Sequence, residues 1–256
     1  MPETIRNFYL RDEYIKKNPN LHEEDSAWKY TKIVPFADEI LSKEFKPNTH
    51  LTFLDIGGGA GLILKQVVIH TQSKFGDSIQ KIILDLSPGM LRVQIKNNPD
   101  VSKVLNEDIC QTTLSDKEID IAFMIDVLEH ISDTVKALKE INRISKYAIL
   151  KVPLQSNLLL NCANFISQGK IREQSRKNLG HINYYSTPTI LRQVKQNGGR
   201  ILAYSFTNWH QYQLNSLKTN WKEKIKCRVG MSLFKVSPKL CSLVLSDFII
   251  ILIKCD

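Results

Sequence analysis

The chain lacks the sequence marks of secreted, disulfide-bonded and membrane-spanning proteins. Its five cysteines are scattered through 256 residues without a C-x-x-C pair, which is typical of reduced thiols in a cytosolic protein. The first residues contain no apolar core of a signal peptide. The most apolar tract, Leu240 to Ile253, contains Asp247 and is too short to cross a bilayer. We therefore expect a cytoplasmic protein that folds as one α/β domain with insertions.

Glycine is scarce as well, but four of the eleven glycines stand together within residues 57–61. Gly57, Gly59 and Gly61 follow a strand-like run at 51–54 and precede a helix-like run at 62–70. This arrangement brings bare backbone against a nucleoside-bearing ligand, because glycine leaves no side chain in the way. The dinucleotide fingerprint G-x-G-x-x-G needs a small residue where this chain has a leucine, so a nicotinamide or flavin cofactor is disfavoured.

A second signal lies at the end of the next predicted strand. The run from Lys81 to Leu84 is followed directly by Asp85. In nucleotide-binding βαβ units an acidic residue at this position accepts hydrogen bonds from the ribose hydroxyls of an adenosine. The alternative is that Asp85 caps the helix that begins near Pro88.

Four motifs, LDIGGGAG, IILDLSPGML, NEDIC and IDVLEHISD, resemble in order those of class I S-adenosylmethionine-dependent methyltransferases. The resemblance covers roughly residues 51–206 and is to members that act on small molecules, lipids or sugars and carry V-L-E-H after the fourth strand. It implies S-adenosylmethionine as cofactor and S-adenosylhomocysteine as product. It also implies a Rossmann-like α/β fold, with a seven-stranded, mostly parallel sheet, helices on both faces and an antiparallel last strand.

Strand-like and helix-like runs alternate along the chain, which favours parallel βαβ units. We place strands near 51–56, 80–85, 101–105, 119–125, 147–152, 200–206 and 243–253, and helices near 26–45, 60–72, 88–97, 133–145 and 189–196. Residues 1–50 are expected to form an N-terminal lid and the first helix, and residues 51–256 the methyltransferase domain. Insertions near 154–180 and 208–239 interrupt the alternation, and we expect them to select the methyl acceptor.

The resemblance assigns cofactor contacts to Asp55, Gly57, Gly59, Gly61, Asp85, Asp108, Ile109 and Asp126. The glycines would admit the methionine part of the cofactor, and Asp55 would organise the site near the methionyl amine. Asp85 would hold the ribose. Asp108 would accept from the adenine amino group, with Ile109 against the ring, and Asp126 or its backbone would face the methionyl end. An ordinary turn or loop aspartate remains the alternative at Asp55 and Asp108.

The catalytic candidates follow the fourth strand and the first insertion. Glu129 and His130 stand where ligands gather outside the carboxyl ends of parallel strands, and His130 could act as general base for a hydroxyl acceptor. By resemblance, His181 and Tyr184 would lie over the acceptor. The alternatives are a structural histidine at 130 and packing tyrosines near a helix cap. In the lid, Trp28 and Lys29 would cover the cofactor or acceptor, or else Trp28 anchors the first helix in the core.

A metal is an alternative at the same place. The pattern D-x-x-E-H at 126–130 resembles the E-x-x-E-H of ubiquinone-pathway O-methyltransferases and of terminal 2′-O-methyltransferases of small RNAs, whose side chains help to bind a divalent ion. Asp126, Glu129 and His130 match that pattern, and His181 would be a fourth ligand. Aspartate reaches less far than glutamate, and many metal-free methyltransferases carry V-L-E-H here. We therefore expect a site that works without a metal.

Charge is divided unevenly along the chain. Residues 1–150 hold 19 Lys and Arg against 22 Asp and Glu, whereas residues 151–256 hold 16 against 4. A basic half indicates an anionic partner, such as a phosphorylated or lipid-linked acceptor or a membrane surface, or else a solvated basic face. No [DNS]-P-P-[YF] motif follows the fourth strand and no basic platform interleaved with aromatics is visible, so nucleic acid is not expected.

The sequence thus predicts methyl transfer to a hydroxyl, or with less support an amine, of a small anionic or membrane-derived molecule. A sugar, a glycolipid or a quinone precursor would fit, with the enzyme cytoplasmic or peripheral to the membrane. Two alternatives stay open. One is an RNA ribose 2′-O-methyltransferase that uses the basic half, and the other is an inactive cofactor-binding partner subunit.

Overall fold

The computed structural model describes residues 3–21, 23–76, 78–215 and 220–256. A seven-stranded sheet in the order β3-β2-β1-β4-β5-β7-β6 forms its centre. The strands are β1 (His50–Ile56), β2 (Ser78–Leu84), β3 (Lys103–Leu105), β4 (Ile119–Ile125), β5 (Ser145–Leu154), β6 (Arg200–Phe206) and β7 (Asp247–Lys254). The first five pair in parallel, and β7 runs antiparallel to both β5 and β6. The predicted fold class is confirmed.

Helices cover both faces of this sheet. They are α1 (Glu3–Leu10), α2 (Glu13–Lys17), α3 (Ser26–Glu44), α4 (Leu62–Phe75), α5 (Pro88–Asn97), α6 (Thr134–Ile144), α7 (Leu158–Ile166), α8 (Lys170–Leu179), α9 (Thr187–Asn197), α10 (Trp209–Asn215), α11 (Trp221–Val236) and α12 (Pro238–Val244). Apolar residues of α3 and α4 belong to one buried core and those of α6 and α9 to another. Strand β4 is buried over all seven residues, as expected of a central parallel strand covered on both sides.

Local sequence explains where the helices next to the pocket begin. Gly61 has a φ of 74°, in the left-handed region, and α4 starts at the following residue. The Oγ of Ser87 accepts a hydrogen bond from the Met90 N–H and caps α5, which has Pro88 in its first turn. The carboxyl ends of β1, β2 and β4 are therefore followed by tightly fixed turns at one edge of the sheet.

The strand predicted over 243–253 is wrong at its start. Residues 238–244 form α12, because the Ser237 side chain caps the Leu240 N–H and Pro238 occupies the first helical turn. The strand begins only at Asp247. The run Leu240 to Leu245 is apolar on either interpretation, and a short apolar run does not distinguish a buried strand from a buried helix.

Both predicted insertions contain helices. Helices α7 and α8 lie in the first, and α10 and α11 lie in the second. Residues 216–219 of the second insertion are outside the described part of the chain. No helix within the described residues is both long and apolar enough to cross a membrane. The boundary between a lid and a methyltransferase domain stays a prediction.

Candidate active site

A pocket opens at the carboxyl ends of β1, β2 and β4. It is lined by Tyr9, Tyr14, Ile56, Gly57, Gly59, Leu84, Asp85, Leu86, Met90, Glu107, Asp108, Ile109, Asp126, Val127, His130 and Ile131. Six of the eight predicted cofactor residues are in this lining. The other two, Asp55 and Gly61, are buried beside the same glycine turn. The sheet therefore brings together predicted cofactor residues that are up to 71 positions apart in the sequence.

The glycine turn offers backbone without side chains to the pocket. Gly57 and Gly59 have φ values of 62° and 57°, which L-residues with side chains rarely adopt. A Cβ added at Gly57 would lie 2.8 Å from Cγ2 of Val127, whereas one at Gly59 would have only a carbonyl oxygen at 3.8 Å near it. A Cβ at Gly58 would collide with the carboxylate of Asp55. Gly58 was missed in the sequence, although it lies within the motif.

Two carboxyl groups at the ends of β1 and β2 are buried, and their pKa values are raised. The pKa of the Asp55 carboxyl is raised to about 7 by burial and then by the charge of Asp85. Burial also raises the pKa of Asp85 to about 6. Within the described residues, Oδ2 of Asp55 has no hydrogen-bond partner. Such carboxylates are suited to a ligand that brings cationic or hydroxyl donors, because the donors would stabilise their ionised form.

The predicted alternative for Asp85 can be judged from its contacts. Its Oδ1 accepts from the Ser87 N–H at 2.8 Å, and its Oδ2 accepts from Nε2 of Gln94 at 3.2 Å. The cap of α5 is Ser87. Asp85 therefore does not cap that helix, and it lines the pocket instead.

The loop after β3 supplies the opposite wall of the pocket. Oδ1 of Asp108 accepts from the Cys110 N–H at 2.9 Å, so this side chain also stabilises its own loop. Ile109 is buried against the wall. The adenine contacts assigned to these two residues by resemblance stay predictions.

Asp126 belongs to a buried charge network that the sequence did not reveal. The Lys151 Nζ lies 2.5 and 2.7 Å from its two oxygens, and the Lys29 Nζ lies 3.0 Å from Oδ2. Lys29 also pairs with Asp25 at 2.9 Å. Burial opposes ionisation of Asp126, but the two ammonium groups outweigh it and the pKa of its carboxyl is lowered. The one signal in the sequence was a lysine in the middle of an apolar strand.

Trp28, on the same helix as Lys29, does not line the pocket. Its ring stacks on Tyr212 at 4.8 Å and meets Trp209 edge-on at 5.1 Å. These contacts favour the interpretation that Trp28 anchors α3 against α10.

The two motifs predicted to carry catalysis meet in space. The Glu129 carbonyl accepts hydrogen bonds from the N–H groups of Ile182 at 2.9 Å and Asn183 at 3.0 Å. The rings of His130 and His181 lie 4.8 Å apart. Glu129 is buried, and its pKa is raised to about 8 by burial and by the charge of Asp126. Burial therefore favours the protonated form of Glu129, whereas the two lysines favour the ionised form of Asp126.

The N-terminal helices close over His130. The Tyr9 hydroxyl lies 2.8 Å from His130 Nδ1, and the Tyr14 ring stacks on Tyr9 at 5.6 Å. Burial raises the pKa of Tyr9 well above 10, so its hydroxyl stays protonated and can donate to Nδ1. The carboxylate of Asp12 holds this segment by accepting from the Ser87 hydroxyl at 3.0 Å. Tyr9 and Tyr14 could not be predicted from the sequence, since no local pattern links them to the strand ends.

A second cleft lies on the other side of the histidine pair. It is lined by Ser132, Arg172, Glu173, Arg176, His181, Ile182, Asn183 and Tyr184. Glu173 pairs with Lys177 at 2.6 Å, and within the described residues no carboxylate pairs with Arg172 or Arg176. The Arg172 guanidinium lies 4.7 Å from the centre of the Tyr184 ring. The cleft therefore offers two cations close to His181.

The structure also bears on the metal alternative. One ligand atom each of Glu129, His130 and His181 lies within 4.8 Å of the others, and Oε2 of Glu129 has no partner within the described residues. This set fits a divalent ion with three protein ligands. Asp126 is outside this group, because its carboxylate is engaged by two lysines.

Comparison with known proteins agrees with this geometry. A family model described as a methyltransferase domain matches residues 54–147. No curated protein sequence matches the chain significantly. Among solved structures, a geranyl diphosphate methyltransferase in complex with S-adenosylmethionine is similar with a TM-score of 0.60 and 12% identity, over 96% of this chain and 91% of that one.

Two further structures are similar to the chain. The geranyl diphosphate C-methyltransferase from Streptomyces coelicolor A3(2), with Mg²⁺, geranyl diphosphate and S-adenosylhomocysteine, has a TM-score of 0.56 and 11% identity, over 86% of this chain and 79% of that one. Phosphoethanolamine N-methyltransferase 2 from Haemonchus contortus, with phosphomonomethylethanolamine and S-adenosylhomocysteine, has a TM-score of 0.52 and 18% identity, over 87% of this chain and 57% of that one.

Proposed function

We propose that this chain, which belongs to the class I S-adenosylmethionine-dependent methyltransferase superfamily, methylates a hydroxyl of a small anionic molecule. The observation that carries the proposal is the contact between the Tyr9 hydroxyl and His130 Nδ1, at 2.8 Å on the pocket wall. A hydroxyl group already reaches this nitrogen from inside the pocket. The hydroxyl of an acceptor that displaced Tyr9 would find the same base at hydrogen-bond distance.

The pocket would hold the cofactor through backbone and carboxylates. When bound, the cofactor supplies a methyl group that its sulfonium charge has already activated. The backbone at Gly57 and Gly59 leaves room for the methionyl part, Asp85 accepts from the ribose hydroxyls, and Asp55 faces the methionyl amine. These assignments follow the resemblance, and they are supported by the pKa values of about 7 and about 6 at Asp55 and Asp85, which donors from a ligand would lower.

His130 would do the proton chemistry. Its Nδ1 would take the proton of the acceptor hydroxyl as that oxygen becomes methylated. The buried Glu129 and the ring of His181, 4.8 Å from the His130 ring, would hold the base in position. Alignment of the two reacting groups supplies the remainder of the rate.

The second cleft would hold the acceptor. Arg172 and Arg176 line it without carboxylate partners among the described residues, and arginine suits phosphate and carboxylate groups. Two of the similar structures hold phosphorylated small molecules, geranyl diphosphate in one and phosphomonomethylethanolamine in the other. We infer that this chain also methylates an anionic acceptor. An amine acceptor would use the same base.

A divalent ion held by Glu129, His130 and His181 is the second candidate arrangement, supported by the spacing of their ligand atoms within 4.8 Å. Such an ion would orient an acceptor oxygen. The ribose methyltransferase alternative shares this arrangement and makes RNA the acceptor.

The test is incubation with methyl-labelled cofactor and separated fractions of cell extract, followed by mass spectrometry. We expect label in an anionic small-molecule or lipid fraction. His130→Ala should lower turnover by about a hundredfold while it changes the affinity for S-adenosylhomocysteine less than about twofold. His70→Ala, a histidine bonded to Asp38 outside the pocket, is the matched control.

Other results would overturn the proposal. Label in RNA would favour the ribose methyltransferase. Cofactor binding without any S-adenosylhomocysteine formation in any fraction would favour the inactive partner subunit. Equal turnover in the His130→Ala and His70→Ala variants would remove His130 as the base.

A further inference from the structure

Exposed apolar side chains are concentrated on the insertion helices. Eleven of the eighteen large apolar side chains that are exposed in the described part of the chain lie on α7, α8, α11 and α12. The exposed fraction reaches 85% at Phe165, 81% at Ile166 and 79% at Val236. Elsewhere such residues stand singly or, on β6, as the pair Leu202 and Tyr204, which is normal for a protein surface. A large exposed apolar patch on a folded chain instead marks an interaction surface.

On helix α11 the exposed apolar residues share one side of the helix. At about 100° per residue, Trp221, Ile225, Val229 and Val236 fall within an arc of about 80°, and all four are exposed. Its buried residues, Cys227 and Gly230, lie on the opposite side. The apolar stripe of α11 therefore faces away from the protein.

Helix α7 repeats the pattern. Leu158, Leu159, Phe165 and Ile166 fall within an arc of about 120°, and no residue of α7 is buried. Helix α12 contacts both α7 and α11, and it exposes Leu240. The exposed residues of α7, α8, α11 and α12 thus belong to helices that contact one another in series, and we call them the insertion face.

The charge of the insertion face is strongly positive. Its four helices carry ten Lys and Arg residues against two Glu. On α11, Arg228 and Lys235 flank the apolar stripe on one side and Lys222 and Lys226 on the other. A symmetric contact with a second copy would press these cations against themselves. Apolar side chains bordered by Lys and Arg on a helix surface match the boundary of an anionic bilayer.

We propose that the insertion face docks on membranes that contain anionic lipid. Phe165, Ile166 and Trp221 enter the boundary between headgroups and acyl chains, and the flanking Lys and Arg residues meet the lipid phosphates. The docking needs no methyl transfer and goes beyond the proposed function. Helix α8 also supplies Arg172 and Arg176 to the second cleft. When the protein is docked, that cleft therefore lies beside the bilayer.

The test is co-sedimentation of the full chain with phosphatidylcholine vesicles, with and without about a third phosphatidylglycerol. We expect binding to the anionic vesicles that is at least about tenfold tighter than binding to the neutral ones and that weakens as salt rises. The double variant Phe165→Asp and Ile166→Asp should lose at least about tenfold in affinity. Ile69→Asp on α4, a residue that is also exposed, is the matched control.

Three results would overturn the proposal. The first is no binding to anionic vesicles. The second is equal loss in the Ile69→Asp control and the α7 double variant, while circular dichroism shows both folded. The third is concentration-dependent self-association that the α7 double variant abolishes, because this result would assign the insertion face to a second copy. Release of the wild-type chain from anionic vesicles by salt, together with normal binding of the Ile69→Asp variant, would support membrane docking.

Discussion

The cofactor pocket and the insertion face differ in which side chains they bury and which they expose. Around the pocket, carboxylates of Asp55, Asp85 and Glu129 are buried and their pKa values are raised. On the insertion face, Lys, Arg and apolar side chains are exposed to solvent. The first region is held by strands that share hydrogen bonds across the sheet, whereas the second consists of helices at its margin. Fixed positions suit cofactor binding, whereas exposed residues tolerate change, and we propose that they determine the surface on which the protein docks.

The largest expected difference between the two regions is in ion pairs. Asp126→Asn should lower the free energy of unfolding by about 3 kcal/mol, because Lys151 would be left buried without a carboxylate. Glu173→Gln, which breaks the exposed pair with Lys177 on α8, should leave the denaturation midpoint unchanged. Urea unfolding measures both. If the double variant Asp126→Asn and Lys151→Met were no more stable than Asp126→Asn alone, the buried network would not be the cause.

Glycine substitutions compare the two regions next. Gly57 has a φ of 62° and an added Cβ would lie 2.8 Å from the Val127 side chain, whereas Gly169 has a φ of 86° and nothing within 4 Å. Because both positions have a positive φ, alanine introduces similar backbone strain in both variants. We expect Gly57→Ala to weaken S-adenosylhomocysteine binding by about fiftyfold, roughly 2.3 kcal/mol, and Gly169→Ala to leave it unchanged. Calorimetric titration measures both affinities. Equal affinities of the two variants for S-adenosylhomocysteine would show that the glycine turn does not contact the ligand closely.

Cofactor binding should depend on pH through Asp85. The pKa of Asp85 is raised to about 6 in the unliganded chain, because burial favours the protonated carboxyl. The protonated carboxyl therefore contributes stability that is fully present below the ordinary pKa of aspartate. That stability is lost as pH rises through about 6. A ligand that needs the ionised form binds better above that value. We expect the affinity for S-adenosylhomocysteine to rise about tenfold between about pH 5 and pH 7. The Asp85→Asn variant should bind weakly at every pH, and a similar pH dependence in it would refute the assignment.

Metal removal should have the smallest effect. With His130 as a general base, dialysis against a chelator should change turnover less than about twofold. Loss of more than about tenfold, with recovery on addition of Mg²⁺ or Mn²⁺, would favour the arrangement in which Glu129, His130 and His181 hold an ion. Inductively coupled plasma mass spectrometry of the purified chain would identify the ion.

The sequence predicted what local motifs encode. The glycine turn, Asp85 and the loop at Asp108 could be placed because each directly follows a strand, and the ends of parallel strands share one edge. Tyr9 reaches His130 across 121 positions, and no local pattern signals that contact. Lys151 reaches Asp126 across 25 positions, and the sequence signals it only as a lysine within an apolar strand. The orientation of the insertion face could be read only once α7, α11 and α12 were placed, since composition gives charge but not direction.

The most direct measurement of the central claim is calorimetric titration of the purified chain with S-adenosylhomocysteine near neutral pH, beside the Asp85→Ala variant. The account predicts saturable binding by the wild-type chain and a loss of more than about tenfold, or about 1.4 kcal/mol, in the variant. If the wild-type chain took up neither this ligand nor S-adenosylmethionine but bound a nicotinamide dinucleotide, the pocket would have been assigned to the wrong cofactor.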